Sequence, residues 1–195
     1  MFAVYLTHPQ VRIDPAVPVP QWGLSELGRE RTIRTAQSPW VKRIGRIVSS
    51  EEVKATETAG ILAAGAGCQV EVMADMGENN RSATGFLPPP EFEKAADWFF
   101  SHPDESFHGW ERASDAQRRI VGAVEAVLAT HDPQVPILFV GHGGVGTLLK
   151  CHLARRSIGR DNDQPGGGGN LYVFNLPGCQ LLSDWEAMEL RQEIG

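Results

Sequence analysis

His8 and His142 occupy matched settings in the chain. Each closes a short apolar run: Phe2-Ala3-Val4-Tyr5-Leu6-Thr7 leads into His8, and Ile137-Leu138-Phe139-Val140-Gly141 leads into His142. Apolar runs of this length, bounded by turn residues, read as buried strands of a parallel sheet. In open α/β sheets, ligands bind just outside the carboxyl ends of such strands. Two imidazoles delivered to that edge converge on one substrate. Other strand ends offer Ser49-Ser50, with Lys54 one turn into a helix, and then Asp75 and Glu78. The inventory is two imidazoles, a cation and a carboxylic acid, without a serine elbow, a Walker lysine loop or metal-ligand spacing. A phosphoryl group needs such parts: a nucleophile, donors for its oxygens, and an acid for the leaving group.

The elements that must position these residues alternate between strand and helix. After the first strand, residues 9–23 hold Pro9, Pro15, Pro18 and Pro20 and form an irregular loop. Ser25 is placed to cap a helix through about Ala36. Arg46-Ile47-Val48 is a second strand, and a helix from Val53 to about Ala64 is expected to stop at Gly65 and Gly67. Val70-Glu71-Val72 is a third strand, followed by a polar loop to Pro90. Helices then cover about 91–101, where Trp98, Phe99 and Phe100 pack on the sheet, and about 114–130. The His142 strand turns through Gly143-Gly144 into a helix from about Val145 to Leu153. Residues 157–169, with four consecutive glycines, read as a flexible loop. Leu171–Leu176 and Gln180–Trp185 read as two closing strands joined at Pro177-Gly178. The expected fold is therefore a three-layer α/β sandwich, a mostly parallel central sheet flanked by helices, in a single domain spanning 1–195.

Composition narrows the possible partners. The 195 residues carry a net charge of −6, and 42% are apolar. That balance argues against a nucleic-acid binder, which would show a basic stripe. No apolar run approaches a membrane span. Cys68, Cys151 and Cys179 are scattered and odd in number, which points to a reducing compartment and a cytoplasmic protein without structural zinc. His102, His108, His131 and His152 read as surface or helix residues.

In order along nearly the whole chain, these segments resemble the histidine phosphatase superfamily, also called phosphoglycerate mutase-like. Thr7-His8-Pro9 aligns with the family's Arg-His-Gly, and Leu24-Ser25-Glu26-Leu27-Gly28 with Leu-Thr-x-x-Gly. Ser49-Ser50-Glu51-Glu52-Val53-Lys54-Ala55 aligns with Ser-Ser-Pro-Leu-x-Arg-Ala. The family acid falls on Glu78, the Gly-Glu-Ser segment and its arginine on Gly109-Trp110-Glu111 and Arg119, and the second histidine on His142-Gly143.

The resemblance implies a metal-independent and cofactor-free phosphomonoester hydrolase acting on a small phosphorylated substrate. His8 becomes a phosphohistidine, Glu78 protonates the leaving oxygen and then activates water, and His142 stabilises charge on the phosphoryl oxygens. Amide groups of Gly143 and Gly144 add to that field at a helix N-terminus. Thr7 and Lys54 occupy the two arginine positions of the phosphate clamp, so a bidentate grip is replaced by a hydroxyl and a point charge. Pro9 removes an amide donor beside the phosphate, and Asp14 brings a carboxylate to the following loop. Arg12 and Arg81 are the candidates to compensate. Two other readings stay open: a degenerate member that binds an anionic ligand or a protein with slow or no turnover, and, more weakly, a phosphoglycerate mutase. The oligomeric state is left open.

Overall fold

A computed structural model describes residues 1–194. Six strands form one sheet in the order β3-β2-β4-β1-β5-β6: β1 (Phe2–Thr7), β2 (Arg46–Ser50), β3 (Val70–Met73), β4 (Ile137–Gly141), β5 (Asn170–Asn175) and β6 (Glu186–Ala187). The first four run parallel, and β5 and β6 add two antiparallel pairings at one edge. Five helices flank it: α1 (Glu26–Thr35), α2 (Val53–Ala66), α3 (Pro89–Ser101), α4 (Ala113–Ala129) and α5 (Gly143–Leu153).

Alternation along the strands divides the core into two layers. Ala3, Tyr5, Ile137, Phe139, Tyr172 and Phe174 face α3, α4 and α5, where Phe99, Ile120, Val124 and Leu148 meet them. Val4, Leu6, Leu138, Val140, Leu171 and Val173 face the other way, onto Ala55, Ala59 and Leu62 of α2. Both faces of β1, β4 and β5 are thus covered, which is why these strands read as continuous apolar runs. Among the described residues, no helix is long and apolar enough to cross a membrane.

Three local expectations need correction. Helix α2 continues through Gly65 to Ala66 and ends at Gly67, which takes the left-handed cap with φ of 73°. Gly65 is there for close packing, since a Cβ on it would lie 2.4 Å from the Ala36 carbonyl oxygen. The closing strand is also shorter than 180–185. Leu181 makes one antiparallel bridge to Phe174, then the Val173 carbonyl accepts the amides of both Leu182 and Ser183. The Ser183 hydroxyl in turn accepts the Val173 amide at 3.1 Å. Two residues therefore oppose one, as in a bulge, and regular pairing resumes only at Glu186–Ala187.

The third correction concerns the glycine-rich loop, which is pinned at both ends. Arg160 pairs with Glu93, Asp97 and Asp163, and the Gly169 amide donates to the His8 carbonyl at 3.0 Å. Gly168 has φ of 63°, and a Cβ there would lie 2.4 Å from the His8 carbonyl oxygen. Gly168→Ala is therefore expected to cost about 1–3 kcal/mol, through both strain and contact. Gly166, with open space around it, should tolerate alanine. Paired thermal melts check this: equal melting temperatures for the two variants would show that the loop does not brace His8.

Candidate active site

Register brings the two histidines together. Thr7 is the partner of Gly141 in the parallel β1–β4 ladder, so the next residue of each strand, His8 and His142, emerges beside the other. Their ring centroids stand 5.3 Å apart, with the planes at 68°. Beneath them the Tyr5 hydroxyl donates to the His142 carbonyl and accepts the His142 amide, both at 3.1 Å. Tyr5 is a structural support of the His142 backbone that the sequence does not single out. Its signal is a phenol in the middle of an otherwise apolar strand.

The Pro9 carbonyl fixes the tautomer of His8. His8 Nδ1 lies 2.8 Å from the Pro9 carbonyl oxygen. That oxygen can only accept, so the ring hydrogen sits on Nδ1 and the lone pair on Nε2. Burial, reinforced by His142, pushes the His8 pKa down to about 3, so the ring is neutral near pH 7. His142 Nε2 meets the Ser50 hydroxyl at 2.8 Å. Ser50 accepts the Glu52 amide at 3.2 Å and has its own proton to offer His142 Nε2. With that proton donated, the hydrogen of His142 falls on Nδ1, a fully buried atom with no partner among the described residues. Burial also lowers the pKa of this ring.

Glu78 reaches the site from the loop after β3. Its carboxylate accepts the amides of Gly144 at 3.1 Å, Val145 at 3.0 Å and Asn79 at 3.0 Å. A carboxylate is well placed at a helix N-terminus, where free amides and the dipole favour negative charge. Burial alone would raise its pKa, but Arg81, His142 and the Asn79 amide outweigh this and hold it below the usual range. Two expectations change as a result. The Gly144 amide serves Glu78 instead of an incoming phosphate, and Glu78 is a carboxylate at neutral pH with no proton ready to give. The loop itself hangs on Arg119, which donates to the carbonyls of Asp75, Gly77 and Glu78 and pairs with Glu111 at 2.8 Å.

The cations are differently disposed from a phosphate clamp. Lys54 is buried, with its ammonium donating to the Val19 carbonyl at 3.0 Å and ion-paired to Glu52. The other Glu52 oxygen accepts the Glu78 amide at 2.9 Å and lies 3.4 Å from His142 Nε2. Burial opposes the charge on Glu52, yet His142 and Lys54 prevail and its pKa falls to about 2. Glu52 is the residue that the sequence reading missed, because a glutamate in a helix-leading segment looks solvated. Arg81 stacks over Phe92 and Trp110, at 5.0 and 5.6 Å from the ring centroids, on the Glu78 side of the site. Arg12 and Asp14 are both exposed on the loop after β1. The Asp14 carboxylate accepts the Ala16 amide there, and no side-chain hydrogen bond ties Arg12 to the histidines.

Thr7 is fully buried. Its hydroxyl donates to Gln164 Oε1 at 2.8 Å and accepts the Asn170 amide at 3.0 Å. Asn170 Nδ2 donates to the same Gln164 oxygen at 3.0 Å. With that oxygen saturated, Gln164 turns its amide nitrogen onto Gly143, so closely that a Cβ there would lie 2.1 Å away. Gln164 lies in the segment read as a flexible loop, so its presence here was hidden in the sequence.

A family model described as the histidine phosphatase superfamily (branch 1) matches residues 16–179. The matched span holds Lys54, Glu78 and His142 and starts beyond His8. No curated protein matches the chain. Among solved structures, mycobacterial glucosyl-3-phosphoglycerate phosphatase with inorganic phosphate is 20% identical with a TM-score of 0.80, over 97% of this chain and 99% of that one. A structure described as a putative alpha-ribazole-5'-P phosphatase from Escherichia coli is 16% identical with a TM-score of 0.75, over 98% and 99%. A mutant phosphoserine phosphatase of Entamoeba histolytica in complex with phosphoserine is 16% identical with a TM-score of 0.76, over 96% and 98%. These likenesses show a shared fold.

The depressed pKa values make stability fall with acid. An unfolded chain takes up a proton at His8 below pH 6.5, whereas the folded protein resists until about 3. Stability tied to His8 is therefore lost as pH falls through that window. For Glu52, ionised down to about 2 against an ordinary 4.5, stability is present above 4.5 and lost below it. Urea midpoints measured from pH 7 to 3 should decline, by at most about 1.4 kcal/mol per pH unit for each group. His8→Asn should flatten the upper stretch and Glu52→Gln the lower one. Unchanged slopes in both variants would show that neither group is held as described.

Proposed function

We propose that this chain, which belongs to the histidine phosphatase superfamily, hydrolyses phosphomonoesters through His8 without a metal ion. The observation that carries this reading is the His8 hydrogen bond to the Pro9 carbonyl, which leaves the lone pair on Nε2 of a ring whose centroid stands 5.3 Å from that of His142. A neutral imidazole so oriented is a nucleophile that needs no base to activate it. Its lone pair forms the N–P bond while the ester P–O bond breaks in line. His142 Nδ1–H, otherwise without a partner, donates to a phosphoryl oxygen as negative charge gathers there. Water then attacks phosphorus, the N–P bond breaks, Glu78 takes the water proton, and inorganic phosphate departs.

Because Glu78 is held as a carboxylate, this reading gives it the base role of the second step. The first step then favours leaving groups that depart without a proton. The substrate class is a small phosphorylated molecule, which is supported by the phosphatases that share the fold. Free thiols at Cys68, Cys151 and Cys179 support a cytoplasmic setting.

The Glu52–Lys54 ion pair favours a second reading, in which the site binds an anionic ligand but turns it over slowly or not at all. It also weighs against a mutase, which needs unpaired cations for a second phosphate. The discriminating measurement is hydrolysis of 4-nitrophenyl phosphate. His8→Ala should reduce it to the rate in buffer, and a chelator should leave it unchanged. Rapid acid-free quenching with labelled substrate should trap an acid-labile, base-stable adduct on His8. Ethyl phosphate should react far more slowly than the aryl ester. Turnover that persists in His8→Ala would exclude the phosphohistidine route. Folded protein that hydrolyses neither ester would pass the lead to the second reading.

A further inference from the structure

Glu52 is placed where an anion ligand would least welcome it. It stands just before α2, and its side chain is 11% exposed. One oxygen holds the Lys54 ammonium, and the other accepts the Glu78 amide at 2.9 Å and approaches His142 Nε2 at 3.4 Å. Lys54, its partner, is 4% exposed and has its remaining hydrogen bond to the Val19 carbonyl. The one lysine beside the histidines is thereby neutralised from within the site. Glu78, whose own amide Glu52 accepts, brings a second carboxylate, bound by backbone amides at the start of α5. The donors left to a ligand beside the rings are the Nδ1–H of His142 and the Gln164 amide that rests on Gly143, and the nearby charge outside the Glu52–Lys54 pair is Arg81, stacked on Phe92 and Trp110 on the Glu78 side.

We propose that Glu52 is a specificity-determining residue: by cancelling Lys54 beside the two histidines, it makes the site accept singly charged phosphoryl groups and reject doubly charged ones. The inference rests on the phosphatase reading for its turnover arm and on the geometry of the Glu52 contacts for its binding arm. A doubly charged phosphate placed against His142 would meet Glu52 and Glu78 with no unpaired lysine to offset them. One proton on the phosphate removes much of that repulsion and adds a donor that a carboxylate accepts.

A phosphomonoester passes between these two states near pH 6, and both His8 and Glu52 keep a single charge state through that region. His8 is neutral down to about 3 and Glu52 is ionised down to about 2. Glu78 and His142 both lie below their ordinary values, and the Tyr5 hydroxyl lies above its own. Lys54 faces Glu52 directly, whereas Arg81 and Arg119 act on the Glu78 side. A slope near pH 6 that disappears when Glu52 loses its charge therefore reports the charge of the ligand against Glu52.

The experiment compares wild type with Glu52→Gln, whose amide oxygen can still accept the Glu78 amide. For 4-nitrophenyl phosphate, wild-type kcat/KM should fall as pH rises through 6, and Glu52→Gln should raise the value at pH 8 by about tenfold or more while changing the value at pH 5 little. Adding Lys54→Met to Glu52→Gln should erase that gain, because the released ammonium is its source. Calorimetric titration with inorganic phosphate repeats the comparison without turnover: wild type should bind more tightly at pH 5 than at pH 8, and Glu52→Gln should level the two. A flat wild-type kcat/KM profile, or equal profiles in wild type and Glu52→Gln, overturns the proposal while leaving the phosphatase reading intact. No turnover with pH-selective phosphate binding overturns the phosphatase reading and supports this one. No phosphate binding by either protein at either pH overturns this proposal, whatever the turnover. If Glu52→Gln does not fold, the wild-type slopes alone decide.

Discussion

The in-register parallel pairing of β1 with β4 is the constraint on which the site depends. Thr7 opposite Gly141 means that the chain leaves both strands at the same height, and the next residue in each is a histidine. No loop has to be persuaded to close for the rings to meet. Everything else is arranged around that fact. Tyr5, two residues back in β1, reaches across to hold the His142 backbone at both its amide and its carbonyl. The glycine run braces the His8 carbonyl from outside the sheet. A one-residue slip in the β1–β4 ladder would turn every core side chain of β1 to the wrong face, so the apolar packing that stabilises the sheet also guards the spacing of the imidazoles.

Charge is the second determinant, and here the fold spends its anion-binding groups on its own residues. The N-terminus of α5 is a ready site for an oxyanion, and Glu78 occupies it. Lys54 is the cation nearest the rings, and Glu52 occupies that. Each pairing is favourable for the folded protein, because a buried charge without a partner is costly. Together they leave a site with neutral imidazoles, a lysine paired from within, and Arg81 stacked on aromatic rings at its edge. Such a site is well suited to a nucleophile and poorly suited to a highly charged ligand.

How much of this was legible in the sequence differs by element. The core strands announced themselves because both faces of β1, β4 and β5 are covered, which forces unbroken apolar runs. The histidines were found because strand ends in a parallel sheet share an edge, a rule that needs no three-dimensional data. Ser25 as a helix cap was equally readable, and its hydroxyl accepts the Gly28 amide at 3.1 Å. What stayed hidden were long-range partners of polar residues. Glu52 meets the Glu78 amide across 26 positions and Gln164 meets Thr7 across 157, and nothing in local periodicity encodes such pairs. The glycine-rich segment misled for a related reason. Glycine signals conformational freedom in an unpacked chain, but the same freedom lets a backbone approach His8 more closely than any side chain would permit.

Thr7 and Lys54 are each coupled to a partner in the folded protein. The resemblance places arginines where this chain has Thr7 and Lys54. An arginine at position 7 would need the room that Gln164 now fills, and Gln164 is held there by the short Thr7 hydroxyl together with Asn170. A guanidinium at position 54 would spread its charge over a planar fork, whereas the compact ammonium of lysine is matched by the single carboxylate of Glu52. Each substitution thus has a partner that makes it stable: threonine with glutamine and asparagine, lysine with glutamate. A lone reversion at either position would confront a partner built for the present residue. The surroundings of His8 are accordingly set by two small networks, one neutral and one ionic, that flank the same pair of rings.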